Sequence, residues 1–242
     1  PRREDRRPDF GAGCIFCMTG KQGFQGNLSS NEILNQFRSL PEFQKLTNMV
    51  FMGMGEPLDN INELLKCLEI LTSDWGYGWS PTRVTVSTVG LKSSISEFLE
   101  KSRCHLAVSL HSPFDDERRK LMPIHRTNSV KDVLEIIRNF DFSSQRRVSF
   151  EYILFKGMND TQKHVKELAR ILNGIKCRIN IIRFHQIPGS EFTSPGMKET
   201  FDFKEALNAR GILTTIRASR GEDIQAACGL LSTLKQNKGK QS

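Results

Sequence analysis

The chain has 242 residues, 38% of them apolar and 26% charged, which are the values of a globular protein long enough to bury a full core. Lys and Arg outnumber Asp and Glu by 35 to 27, a formal charge of +8 that suits a polyanionic partner without identifying one. No apolar run is long enough to span a membrane, the first residues carry charges with no apolar stretch behind them, and six cysteines are too few for a disulfide scaffold. These features predict a cytoplasmic protein with no membrane attachment and with its cysteines kept as thiols.

In chain order, the head 1–13 begins PRREDRRPD and offers neither periodicity nor an apolar run where an α/β protein would place its first strand. It reads as an irregular basic segment, or as an artefact of the sequence, ahead of a core at 14–234. Ser29 and Glu32 form a capping-box pattern that opens a helix, and a strand is expected at 48–54. Ile61, Leu64, Leu65, Leu68 and Leu71 recur at helical spacing, followed by strands at 83–88 and 105–111. Ser129 and Asp132 repeat the capping pattern before the stripe Val130, Val133, Leu134 and Ile137. A strand at 148–155 precedes Asp160, which stands ahead of the stripe Val165, Leu168, Ala169 and Leu172. A strand at 179–185 comes next, then a helix around Phe203, Ala206 and Leu207 that Gly211 is placed to end, then a strand at 214–219. The tail 235–242 is polar, lysine-rich and expected to fray. Six strands alternating with amphipathic helices predict parallel β/α units closed or partly closed into a barrel, with functional residues at the C-terminal strand ends.

Several of those ends carry chemistry. Cys14 and Cys17 lie in the glycine-bracketed loop GAGCIFCMTG, where such a pair can hold a soft metal, act as a redox dithiol or simply be buried. A zinc site would need a second ligand pair, yet Cys67, Cys104, Cys177 and Cys228 are scattered. In FMGMGEP the glycines let a ligand approach the backbone, and Glu56 could accept from an ammonium group. VSTVG and SLHSP put Ser87, Ser109 and His111 at strand ends, where they could bind a ligand or cap the next helix. Cys228, in AACGLL, reads on its own as a small buried residue.

In order, CIFCMTGKQGF, FMGMGEP, VTVSTVG, SLHSP, SFEYILFKGMND and RASRGEDIQAACGLL closely resemble the RlmN/Cfr family of radical-SAM RNA methyltransferases. The resemblance runs from about Gly13 to Leu231, and the RFHQIPG segment looks closer to RlmN proteins of the Bacteroidetes type. It implies a partial (β/α)6 TIM-like barrel, here without its first strand and without the family's N-terminal accessory domain. It also implies a 4Fe–4S cluster, S-adenosylmethionine, and methylation of adenosine carbon 2 in 23S rRNA, with tRNA as a further candidate substrate. A flavodoxin or ferredoxin would donate electrons. Cys14 and Cys17 match two of the three cluster ligands, while Phe10 stands where the first should be.

By the same matching, Gly55 and Glu56 would hold the cosubstrate's amino group. Ser87 and the segment Ser109, Leu110 and His111 would line its ribose and methionine parts. His185 stands where many relatives carry Asn. Cys228 matches the cysteine that is methylated first and then delivers a methylene radical to the base. Arg3 occupies the place of the cysteine that resolves the adduct. Arg118, Arg119, Lys120, Lys21, Arg217 and Arg220 are candidates for RNA phosphate contacts. The same motifs leave two alternatives, a Cfr-like carbon-8 methyltransferase and a non-catalytic RNA-binding remnant.

Overall fold

The computed structural model describes residues 14–19, 26–123, 129–142 and 147–218. The chain alternates α1 (Ser30–Arg38), β1 (Met49–Phe51), α2 (Ile61–Thr72), β2 (Val84–Thr88), α3 (Lys92–Lys101), β3 (His105–Ser109) and α4 (Asp115–Leu121). It continues with α5 (Val130–Asn139), β4 (Val148–Leu154), α6 (Gln162–Leu172), β5 (Cys177–Arg183), α7 (Met197–Asn208) and β6 (Leu213–Ile216). The six strands among the described residues pair in parallel, in the order β1-β2-β3-β4-β5-β6.

Strictly sequential order is the signature of single winding. Each crossover helix returns on the same side of the sheet, so one face is covered by helices and the other must be enclosed by curvature, as in a barrel. The residue pattern agrees. Val84, Val86, Leu106, Val108, Val148, Phe150, Tyr152, Ile179 and Ile181 are buried in one apolar cluster with Leu64, Leu68, Ile95, Phe98, Val133, Ile137, Val165, Leu168 and Leu207 from the helices. Each fully buried Leu, Ile or Phe there contributes roughly 1.5–3 kcal/mol of apolar burial.

The alternate residues build the opposite face. One register row runs Ser87, Ala107, Ser149, Arg178 and Leu213, and the next runs Ser109, Glu151, Asn180 and Thr215. The second row is wired together. Asn180 Nδ2 donates to Glu151 Oε1 at 2.7 Å, Thr215 Oγ1 donates to Asn180 Oδ1 at 2.8 Å, and Ser149 Oγ donates to Glu151 Oε1 at 3.1 Å. Arg217, just past β6, reaches Glu151 Oε2 at 3.4 Å and Met52 Sδ, just past β1, at 3.2 Å. Beyond these rows a smaller apolar layer gathers Phe16, Leu121, Met122, Ile153, Phe155, Ile182, Phe184 and Ile187.

Local signals behave as their chemistry predicts, with some differences. The Ser29–Glu32 capping box is present in both directions, whereas Ser129 accepts from the Asp132 amide in a one-way cap. Asp160 does not cap α6. Its carboxylate accepts from Gly157 N at 3.0 and 3.1 Å, closing the turn after β4, and Thr161 takes the N-cap position. β1 is shorter than expected and stops at Phe51, ahead of the glycine-rich turn. β3 stops at Ser109 because His111 turns the chain with φ 56°. α7 does stop before Gly211, which adopts φ 80°. Among the described residues no helix is long and apolar enough to cross a membrane.

Candidate active site at the C-terminal strand ends

Glu56 follows β1 and opens a short 3-10 turn, Pro57–Asn60. Its Oε1 accepts from Leu58 N at 3.0 Å and its Oε2 from Val89 N, just past β2, at 2.7 Å. Burial pushes this carboxyl up to about 7, against the opposing effect of the Val89, Thr88 and Leu58 donors. The residue before it, Gly55, adopts φ 111°, a conformation that side-chain-bearing residues rarely take. Gly53, Met54 and Gly55 are exposed, so the turn offers backbone to a ligand.

Ser87 lies in β2 and is buried, Ser109 ends β3 half-buried, and Leu110 is buried behind it. His111 is only 4% exposed. Its Nδ1 accepts from Ile153 N at 3.1 Å, which makes the ring the Nε2–H tautomer, and its carbonyl accepts from Asn159 Nδ2 at 2.7 Å. Burial, and secondly the charge of Arg118, bring its pKa down to about 3. The imidazole is thus committed to the fold, and Nε2–H is the ring atom left to offer a ligand. His185 follows β5 and is half-buried.

Cys14 and Cys17 share one turn, closed by a 3.1 Å hydrogen bond from Cys17 N to Cys14 O. Phe16 anchors the turn. It is 5% exposed, meets the His111 ring edge-on at 5.0 Å and packs on Phe155 at 5.6 Å. A bond from Ile15 N to Leu121 O, 3.1 Å, latches the turn to the end of α4. Burial and then the neighbouring Cys17 push the Cys14 thiol up to about 12. A buried thiol with a second thiol beside it is a soft donor pair that a bound cation would deprotonate, so the pair fits an iron–sulfur centre in kind. It supplies two thiolates. Among the described residues no group of three or more His, Cys, Asp or Glu side chains could hold a metal ion, and position 10 lies outside them.

The strand ends therefore bring together Glu56, the Ser109–His111 segment and the cysteine turn, with Ser87 one register row below. Cys228 lies outside the described residues, as do Lys21 and Arg220. Arg119 and Lys120 are exposed, as phosphate contacts require. Arg118 is a correction: it is 1% exposed and spends its guanidinium on backbone carbonyls, so it cannot meet a phosphate. Sequence reasoning also passed over Asn159, which is fully buried. Its side chain ties His111 O, Ile153 O and Phe155 N together at 2.7 Å each, and its carbonyl accepts from Tyr152. An Asn directly after a glycine turn, in KGMND, was the available signal.

A model of the Radical SAM superfamily matches residues 11–171. The fold and the strand-end site define an enzyme of that superfamily, whose members use a 4Fe–4S cluster and S-adenosylmethionine. The probable dual-specificity RNA methyltransferase RlmN of Bacteroides fragilis is 56% identical over 95% of this chain and 67% of its own length. The protein of the same name from Porphyromonas gingivalis is 59% identical over 92% of this chain and 65% of its own. Among solved structures, a radical SAM methyltransferase from Sphaerobacter thermophilus superposes with a TM-score of 0.85 at 38% identity, over 90% of this chain and 66% of that one. The chain belongs to the RlmN family of radical SAM RNA methyltransferases, and it spans about two thirds of the length of the relatives it matches.

Proposed function

We propose that this chain carries a methyl group from S-adenosylmethionine to carbon 2 of an adenosine in 23S rRNA, and in tRNA, by way of an S-methylcysteine at Cys228. The observation that carries this reading is the convergence of Glu56, Ser109–His111 and the Cys14–Cys17 turn at one edge of a singly wound parallel sheet. A cluster held by Cys14 and Cys17 would supply single-electron chemistry, which is what an unactivated C–H bond demands.

The chain's own residues bind and orient. Cys14 and Cys17 would hold iron. The Gly55–Glu56 turn would receive the cosubstrate's ammonium group, whose charge favours the ionised form of a carboxyl that burial, against its hydrogen-bond donors, holds up at about 7. Ser87, Ser109, Leu110 and His111 would line the ribose and methionine parts, with His185 hydrogen-bonding an oxygen. The target base must leave its stack to be reached, and the basic surface residues, Arg119 and Lys120 among them, would hold the surrounding phosphates.

The test is anaerobic reconstitution with iron and sulfide, followed by reaction with S-adenosylmethionine, a reductant and a 23S rRNA fragment. Mass spectrometry of the digested nucleosides should show 2-methyladenosine, and Cys228→Ala should abolish it. Methylation at carbon 8 instead would overturn the regiochemistry, and transfer that survives Cys228→Ala would overturn the route.

A further inference from the structure

We propose that Arg118 is the positioning residue of the cosubstrate site, a clamp on the carbonyls of Val89, Ser109 and Leu110 that fixes the two strand ends expected to receive S-adenosylmethionine. The inference deepens the reading above and rests on it for the identity of the ligand.

Arg118 sits in the middle of α4 and is 1% exposed. Its Nε donates to Leu110 O at 3.1 Å, and its Nη2 donates to Ser109 O at 2.9 Å and to Val89 O at 2.5 Å. These three carbonyls lie where β2 and β3 run out of ladder, so strand pairing no longer satisfies them. A planar fork with five N–H donors can serve several at once, which a lysine ammonium on its flexible stem cannot do in one geometry.

Stability alone does not explain an arginine here. Removing a guanidinium from water costs several kcal/mol, and well-packed apolar replacements are often neutral or better. Burial lowers the Arg118 pKa to about 10, so the group remains charged at neutral pH.

The clamp joins a longer chain of contacts. Val89 is held from both sides, its N–H by Glu56 Oε2 and its carbonyl by Arg118, so Glu56, Val89, Arg118 and Ser109–Leu110 connect the ends of β1, β2 and β3. Gly90, next in the chain, has φ 105°, and a Cβ there would lie 3.1 Å from Val133 Cγ2 and 3.4 Å from Arg118 Nη2. The positive φ and the Val133 methyl leave this position to a glycine, with the guanidinium packed alongside. Three residues further along α4, Leu121 O holds the cysteine turn through Ile15 N, so one helix fixes the turn and both strand ends.

Arg118→Lys keeps the charge and removes the fork, and Leu71→Ala, in the helix-side core, serves as a control for lost stability. Affinity for S-adenosylmethionine is measured on the reconstituted chain by equilibrium dialysis, together with amide hydrogen exchange and thermal unfolding. Arg118→Lys should raise the dissociation constant about tenfold or more, roughly 1.4 kcal/mol. It should also speed exchange at the Val89, Leu110, His111 and Ser112 amides by about tenfold, with the β4–β5 amides unchanged. Leu71→Ala should lower the unfolding temperature and change neither. Unaltered exchange at both strand ends in Arg118→Lys, unaltered affinity, or an equal loss of affinity in Leu71→Ala overturns the inference. If the wild-type chain binds no S-adenosylmethionine while Arg118→Lys still loosens both strand ends, the functional reading fails and takes the cosubstrate half of the inference with it, leaving the clamp.

Discussion

The two faces of the sheet are made of the same strands and solve opposite problems. On the helix side the inward residues are overwhelmingly aliphatic or aromatic, and the Tyr152 hydroxyl, which donates to Asn159 O, is an exception that finds its partner beyond the cluster. On the other face Ser109, Glu151, Asn180 and Thr215 form a row in which each residue has a named hydrogen-bonding neighbour. The helix side holds by area, so loss is graded with the volume removed. The polar face holds by geometry, where one missing partner strands another buried group.

That contrast can be broken most severely at Phe98, fully buried on α3. Phe98→Ala should cost about 3–5 kcal/mol, read by denaturant unfolding, with no change in which residues surround Glu56. A site-specific loss of ligand affinity at unchanged stability would contradict the division of labour.

A pH titration of stability sharpens the same contrast, because the strand-end region contains a histidine that the fold keeps neutral. The folded pKa of His111 is depressed to about 3 against 6.5 for the unfolded chain, so the stability it contributes is fully present above about 6.5 and drains away as pH falls toward 3. The slope should approach 1.4 kcal/mol per pH unit, of the order of one proton. His111→Asn tolerates the left-handed backbone and can accept from Ile153 N through its side-chain oxygen, so it should flatten this dependence. An unchanged acid limb in that variant would show that other groups carry it.

The smallest expected effect lies far from both faces. Ser29→Ala removes the cap of α1 and should cost about 1 kcal/mol with no effect on ligand binding, as thermal unfolding and dialysis would show.

Much of this was legible in the residues because strand and helix periods are local. Alternation in VTVST and HLAVS, and the stripes of α5 and α6, announce both the elements and their buried sides. Glu56, Ser109 and the cysteine pair were legible through short motifs at strand ends. Arg118 was misread because a charged helical residue in DDERRK looks like a solvated face; what buries it is the carbonyls of two loops 8 and 29 residues away, which no local pattern encodes. Asn159 carries a local turn signal in KGMND, but its bond to His111, 48 residues distant, is what gives it a part in the site and is not written in that signal. Asp160 shows the converse, a residue with the right chemistry for a cap that the preceding turn claims first.

The contact between Arg217 and Met52 joins the ends of the first and last strands, 165 residues apart in the chain. Every pairing in this sheet already spans a helical crossover, so loop closure must be completed strand by strand before any of them is rewarded. Arg217 and Met52 do not belong to adjacent strands, and they meet only when the four strands between them have taken their curvature. Their contact is therefore a sign of finished assembly: during refolding, protection of the Met52 thioether from peroxide should appear with the slowest phase, after the amides of β4 and β5 are already closed to exchange.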